Sequence, residues 1–230
     1  MSATANQASD PAADSAILLR TEEQGVVTLT LNRPAQYNAL SGAMLDALQS
    51  TLDDIDSDHN VRVVIIAANG KAFCPGHDLK EMRASEERAV HQALFDKCAR
   101  MMLTINRLRQ PVIARVHGVA TAAGCQLVAN CDLAVAADEA RFAVSGINVG
   151  LFCSTPAVPL SRNMGRKQAL HMLLTADFIS AATALQYGLV NEVVPAAELE
   201  ATTLAMAQKI VARSAHAIAL GKDMFYRQLP

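Results

Sequence analysis

The sequence predicts an α/β fold. Three observations carry that expectation. Short β-branched runs alternate with stretches of helical apolar spacing. Two runs, residues 61–67 (VRVVIIA) and 112–116 (VIARV), are almost continuously apolar, as in strands covered on both faces. Two strands often precede one helix, which departs from a doubly wound sheet.

The elements follow in order. Val26–Leu31 reads as a strand that Asn32-Arg33-Pro34 ends. Ser41 then opens a helix whose Met44, Leu45, Leu48, Leu52 and Ile55 share one face. The acidic Asp53, Asp54, Asp56 and Asp58 put its far end in water. After the strand at 61–67, residues 69–78 (NGKAFCPGHD) read as a loop, and 85–109 as a long helix closed by Pro111. The strand at 112–116 leads through Gly118 to a short helix from about Gly124 to Asn130. Leu133–Ala136 and Arg141–Val144 read as a strand pair. Residues 155–174 read as helical with a break near Gly165, 180–187 as a helix, and Leu189–Val194 as a strand. Pro195 then opens a helix over about 197–212, with another to the end.

Composition narrows the function classes. Hydrophobic residues make up 51% of the 230, and charged residues 18%, enough for a sizeable core. A net charge of −2 without a basic block argues against a duplex nucleic-acid binder. The five cysteines form no CxxC pair, so neither a disulfide framework nor a cysteine-based metal site is expected. The six histidines show no ligand spacing. Residues 111–137 resemble a membrane span only in length. Arg115, His117, Gln126, Asn130 and Asp132 interrupt them, and strand, turn, buried helix, strand is the better reading. Residues 1–15 are small and polar, without a signal-peptide pattern, and are expected to be a floppy tail. Residues 16–195 are expected to form the core, and 196–230 a helical C-terminal region.

No GxGxxG, GxxxxGK[ST], HExxH or GxSxG is present. Two loops remain: Phe73-Cys74-Pro75-Gly76-His77-Asp78-Leu79-Lys80, and residues 118–126 (GVATAAGCQ). Both follow buried strands, at the end where open α/β sheets place ligands. In the second, small side chains precede a helix whose first N–H groups lack intrahelical partners. In the first, Pro75-Gly76 makes a sharp turn that can aim the N–H of His77 inward. Two such donors converging would form an oxyanion hole. The plainer alternative is that small residues at 122–124 are a packing device and Pro-Gly a surface turn.

At these residues the chain resembles the crotonase, or enoyl-CoA hydratase/isomerase, superfamily. The resemblance runs in order through residues 31–34 (LNRP), 38–40, 73–80, 118–132, 146–156, 166–167, 184–190 and 221–222. It implies a spiral of ββα turns with C-terminal helices, a homotrimer or dimer of trimers, and a coenzyme A thioester as ligand, with coenzyme A entering as part of the substrate and no metal. It places the oxyanion amides at His77 and Ala123. It places coenzyme A contacts at Phe73, Gly76, Asp78, Leu79 and Lys80, with Lys80 near the phosphates and Arg33 a weaker candidate. Residues 120–132 and 149–156 are most similar to one group of the family that is mitochondrial in animals. No transit sequence is evident, so a cytoplasmic protein is expected.

The departures bear on the reaction. Hydratases of this family carry two carboxylates that hold and deprotonate water; here those positions are Gln126 and Gly146. A carboxamide binds water but is no general base near neutral pH. Among neighbouring groups, Cys153 reads as a small hydrophobe rather than a nucleophile, and Asn148 and Ser154 as pocket candidates. Asp132 reads as a cap or anchor of structure, and Tyr37 as packing rather than lining a ligand entrance. Family members continue beyond the last residue here, so the C-terminal region is expected to be incomplete. Two readings of function result. One is a lyase or isomerase of acyl-CoA metabolism, fatty-acid or related, that stabilises a thioester enolate. The other is an acyl-CoA binding or assembly protein without turnover.

Overall fold

The computed structural model describes residues 16–229. The expected tail at 1–15 lies outside them. Among the described residues ten strands and nine α-helices follow one another: β1 (Leu18–Glu23), β2 (Val26–Leu31), α1 (Gly42–Ser57), β3 (Val63–Ala68), β4 (Ala72–Cys74), α2 (Leu79–Arg83), α3 (Arg88–Arg107), β5 (Val112–Val116), β6 (Val119–Thr121), α4 (Ala123–Asn130), β7 (Leu133–Ala137), β8 (Arg141–Ala143), α5 (Ser154–Asn163), α6 (Arg166–Thr175), β9 (Ile179–Ser180), α7 (Ala181–Tyr187), β10 (Glu192–Val194), α8 (Leu199–Val211) and α9 (Ala215–Gln228).

Two sheets result. The larger runs β1-β2-β3-β5-β7-β10, and the smaller β4-β6-β8-β9. Successive turns of chain place one strand in the large sheet and the next in the small one: β3 then β4, β5 then β6, β7 then β8. A helix follows each pair, which is the physical content of two strands per helix. All neighbours from β2 to β10 in the large sheet are parallel.

The burial of β3 explains its unbroken apolar run. Val64 and Ile66 point into the main core with Leu45, Leu48 and Ile105. Val63 and Ile65 point the other way, against Ala207 of α8. The sheet is therefore covered on both faces. α1 begins as its sequence directs: the Ser41 side chain accepts from the Met44 N–H, and the five predicted apolar residues are buried.

Several expectations are corrected. Residues 133–136 and 141–144 are not a pair: β7 joins β5 and β10, whereas β8 joins β6 and β9. Two adjacent short strands look like a hairpin in sequence, yet here each belongs to a different sheet. The 69–78 segment is not only a loop, since Ala72–Cys74 forms β4 and pairs with β6. The expected helix at 85–109 starts later, at Arg88, and α2 precedes it. β1 was absent from the expectation because its outer residues are exposed and polar. β10 is shorter than expected: Leu189 and Val190 are buried but lie in a turn before it. The 111–137 segment folds as β5, β6, α4 and β7. Among the described residues no helix is long and apolar enough to cross a membrane.

Candidate active site

The site begins with Asn38, whose side chain is fully buried. Its Oδ1 accepts from the Arg33 N–H at 2.9 Å, and its Nδ2 donates to the carbonyls of Asn69 at 2.8 Å and Ala72 at 2.9 Å. One amide thus ties the turn after β2 to the turn before β4. This delivers Leu40 to the 76–78 segment. The Leu40 N–H donates to Gly76 O at 2.8 Å, and the Asp78 N–H donates to Leu40 O at 3.2 Å. Leu40 is bonded to residues 76 and 78, so the N–H of the intervening His77 faces the opposite edge.

That edge meets the start of α4. Gly76 has φ +102°, and a Cβ added there would lie 2.9 Å from Ala122 Cβ and 3.1 Å from Ala123 N. Thr121 Oγ1 donates to Pro75 O at 2.8 Å and fastens the two loops. Gly124 sits against β4 so closely that a Cβ would fall 2.1 Å from Cys74 O. The small residues of both loops are therefore required by backbone contact. Ala123 is the first residue of α4, and neither its N–H nor that of His77 donates to a protein group among the described residues. The structure thus brings His77, Gly76 and Ala123 together.

Ala122 turns the chain into α4 at φ +48°, ψ −122°, a region that favours glycine. Its N–H is held by Ala143 O at 3.0 Å. A residue fixed in such a conformation costs roughly 1–3 kcal/mol. Ala122→Gly is therefore expected to raise the melting temperature by about 2–8 °C, read by thermal unfolding; an unchanged or lower value would show that no strain is stored there.

Gln126 lies three residues after Ala123 on the same helical face, and its side chain leans back towards the N-terminus of α4. All eight residues of α4 are buried, and Gln126 Oε1 has no hydrogen-bond partner among the described residues. Gly146 is not an open position. A Cβ there would lie 2.6 Å from Cys153 Sγ and 2.6 Å from Leu151 O. The Gly146 N–H donates to Cys153 Sγ at 3.2 Å. Burial raises the Cys153 thiol, leaving it neutral near pH 7. Neither residue of this pair supplies a base. The exclusion of a side chain at 146 was not visible in the sequence, since it depends on how residues 151–153 fold back. Gly146→Glu is expected not to introduce hydratase activity, even combined with Cys153→Ala, because the Leu151 carbonyl still crowds the new Cβ. Hydration of crotonyl-CoA by the double variant above the starting level would contradict this.

The other predicted contacts separate. Phe73 is fully buried, and its side chain packs in the main core. Asp78 caps α2, its side chain accepting from the Lys80 N–H. Asp78 Oδ2 also pairs with Arg33 Nη2 at 3.3 Å, so Arg33 is committed to holding the loop. Leu79 and Lys80 are exposed. Asn148 lies in a 3-10 turn and Ser154 starts α5. Tyr37 is 55% exposed and is no packing residue. The cysteines are all free, and burial pushes Cys74 and Cys125 up to about 12.

The His77 imidazole packs edge-on against Phe95, with centroids 5.2 Å apart. Burial pushes its pKa below 6.5. The unfolded state therefore binds its proton first as pH falls. Stability contributed by this group is present above about pH 6.5 and is lost as pH drops through the lower folded value. His77→Phe is expected to flatten the loss of stability as pH falls below about 6.5, measured by denaturant unfolding; an unchanged slope would contradict it.

This geometry can be set beside known proteins. The model of the family described as "Enoyl-CoA hydratase/isomerase" matches residues 21–230. The chain belongs to the enoyl-CoA hydratase/isomerase family. It is 48% identical over 209 residues to the enoyl-CoA hydratase domain-containing protein 3, mitochondrial, of Mus musculus, covering 91% of this chain and 70% of that protein. The crystal structure of a Mycobacterium smegmatis enoyl-CoA hydratase is 60% identical and superposes with a TM-score of 0.92, covering 94% of this chain and 84% of that one. That of human enoyl-CoA hydratase domain-containing protein 3 is 46% identical, with a TM-score of 0.90, covering 94% and 85%. The crotonase-type spiral and the similarity to this group are thereby established. The cytoplasmic expectation is corrected: the mouse relative is named mitochondrial, as are the Xenopus laevis and Homo sapiens relatives at 50% identity. Unpaired cysteines indicate a reducing environment and do not choose among compartments that provide one.

Proposed function

We propose that this member of the family binds acyl-CoA thioesters with the carbonyl oxygen between the N–H groups of His77 and Ala123. Negative charge that develops on that oxygen, as in an enolate, is stabilised by donors already in position. The observation that supports the reading is that Gly76 lies against Ala122 and Ala123, while neither the His77 nor the Ala123 N–H has an acceptor among the described residues. In the same reading the exposed Lys80 meets the coenzyme A phosphates. A homotrimer or pair of trimers belongs to the same reading.

The proposed chemistry is not ordinary hydration. Gln126 can hold a water or hydroxyl but cannot take its proton, and Gly146 has room for no side chain. Loss of one general acid–base group costs about 10²–10⁴ in rate. The same two residues favour the second reading, a thioester-binding protein without turnover. Calorimetric titration with crotonyl-CoA, followed by mass spectrometry of the mixture, separates the two. Binding with isomerised or hydrolysed product supports the enzyme, and binding without product supports the carrier. Absence of binding by crotonyl-CoA and longer acyl-CoAs would overturn both.

A further inference from the structure

A second cleft lies at the other end of the large sheet. The candidate active site follows the C-terminal ends of the strands; this cleft is formed by residues 59–62 before β3, 107–110 before β5, and the first turns of α9. Its volume is about 510 Å³, within the range that holds a nucleotide-sized ligand.

The charge of its wall is unbalanced. Arg109 is paired with Asp56 at 3.6 Å, and Asp223 with Arg227 at 2.8 Å. Among the described residues Arg62 is held only by a neutral acceptor, the Arg213 carbonyl at 2.5 Å. Arg107 is exposed and has no ion-pair partner among the described residues. Two guanidinium groups therefore face the cleft uncompensated, with His59 and His216 beside them. Guanidinium forks suit the oxygens of a phosphate.

Gln110 gives an independent sign of incompleteness. It is buried, and its Nε2 donates to the carbonyls of Ile55 at 2.9 Å and Asp58 at 3.2 Å, which fixes the orientation of the amide. Its Oε1 is left without a donor. Val61, Leu108 and Ile218 supply an apolar floor beside these polar groups.

We propose that this cleft is a binding site for a phosphate monoester with an apolar or planar body, of mononucleotide size, separate from the acyl-CoA site. Arg62 and Arg107 hold the phosphate, and the apolar floor holds the body. The test is calorimetric titration of the full chain with adenosine monophosphate, adenosine and inorganic phosphate, repeated with crotonyl-pantetheine, which carries no nucleotide, at saturation. Adenosine monophosphate is expected to bind at least tenfold more tightly than adenosine, and to do so with crotonyl-pantetheine present. Arg107→Ala, a change at an exposed side chain, is expected to weaken that binding at least fivefold while leaving crotonyl-pantetheine binding and the melting temperature unchanged. Arg107→Lys is expected to recover part of the loss. No heat with adenosine monophosphate, binding indifferent to Arg107→Ala, or displacement by crotonyl-pantetheine would each overturn the proposal.

Discussion

Gly76→Ala is expected to remove the proposed preference of this protein for a thioester carbonyl and, where turnover is measurable, to lower it about 10²–10³-fold, the usual cost of one oxyanion donor. The added methyl would lie 3.1 Å from Ala123 N, in the approach to that N–H, and 2.9 Å from Ala122 Cβ. The backbone at φ +102° also disfavours any side chain. Part of the effect is therefore a stability cost of roughly 1–3 kcal/mol. Gly150→Ala separates the two contributions. Gly150 also has a positive φ, +77°, but a Cβ there meets nothing within 4 Å. It is expected to lower stability without changing the thioester preference. Equal binding loss in both variants would show that strain, not occlusion, was responsible.

Lys222→Met is expected to destabilise the fold by about 3–5 kcal/mol, the cost of stranding one member of a buried ion pair. Lys222 Nζ donates to Asp132 Oδ2 at 2.6 Å and to the carbonyls of Ile105 and Gln110, both at 2.9 Å. Asp132 Oδ2 also accepts from the Val112 N–H at 2.7 Å, and its Oδ1 from Tyr226 OH at 2.8 Å. One carboxylate thus joins the start of β5 to two residues of α9. Burial lowers the Lys222 pKa while Asp132 opposes that shift, so the pair depends on both charges. Denaturant unfolding measures the loss, and hydrogen exchange is expected to show α9 protecting its amides least. A change below 1 kcal/mol would mean that α9 docks through its apolar contacts alone.

The fold was legible where one side chain decides one element. Ser41 marked the start of α1, and the apolar run before Ala68 marked a strand covered on both faces. It was not legible where partners are far apart in sequence. Nothing local in β7 and β8 says that they belong to different sheets. The loops 73–80 and 118–126 could be singled out because their small residues leave backbone donors accessible. Their contact through Gly76 could not, because Asn38 and Leu40, more than thirty residues earlier, position it. Gly146 read in sequence as a missing carboxylate; in the fold it is a place where no side chain fits. Asp132 was recognised as an anchor from its place after the buried helix, but its partners in α9 lie 90 or more positions away.

The proposed hold of two main-chain donors on a thioester oxygen is tested directly by a pair of ligands: butyryl-CoA and its thioether analogue, butyl-CoA, which lacks only the carbonyl oxygen. Two hydrogen bonds to that oxygen contribute on the order of 1–3 kcal/mol together, so calorimetry is expected to find butyryl-CoA bound at least fivefold more tightly by the unmodified chain. Equal affinity for the two ligands would contradict the account.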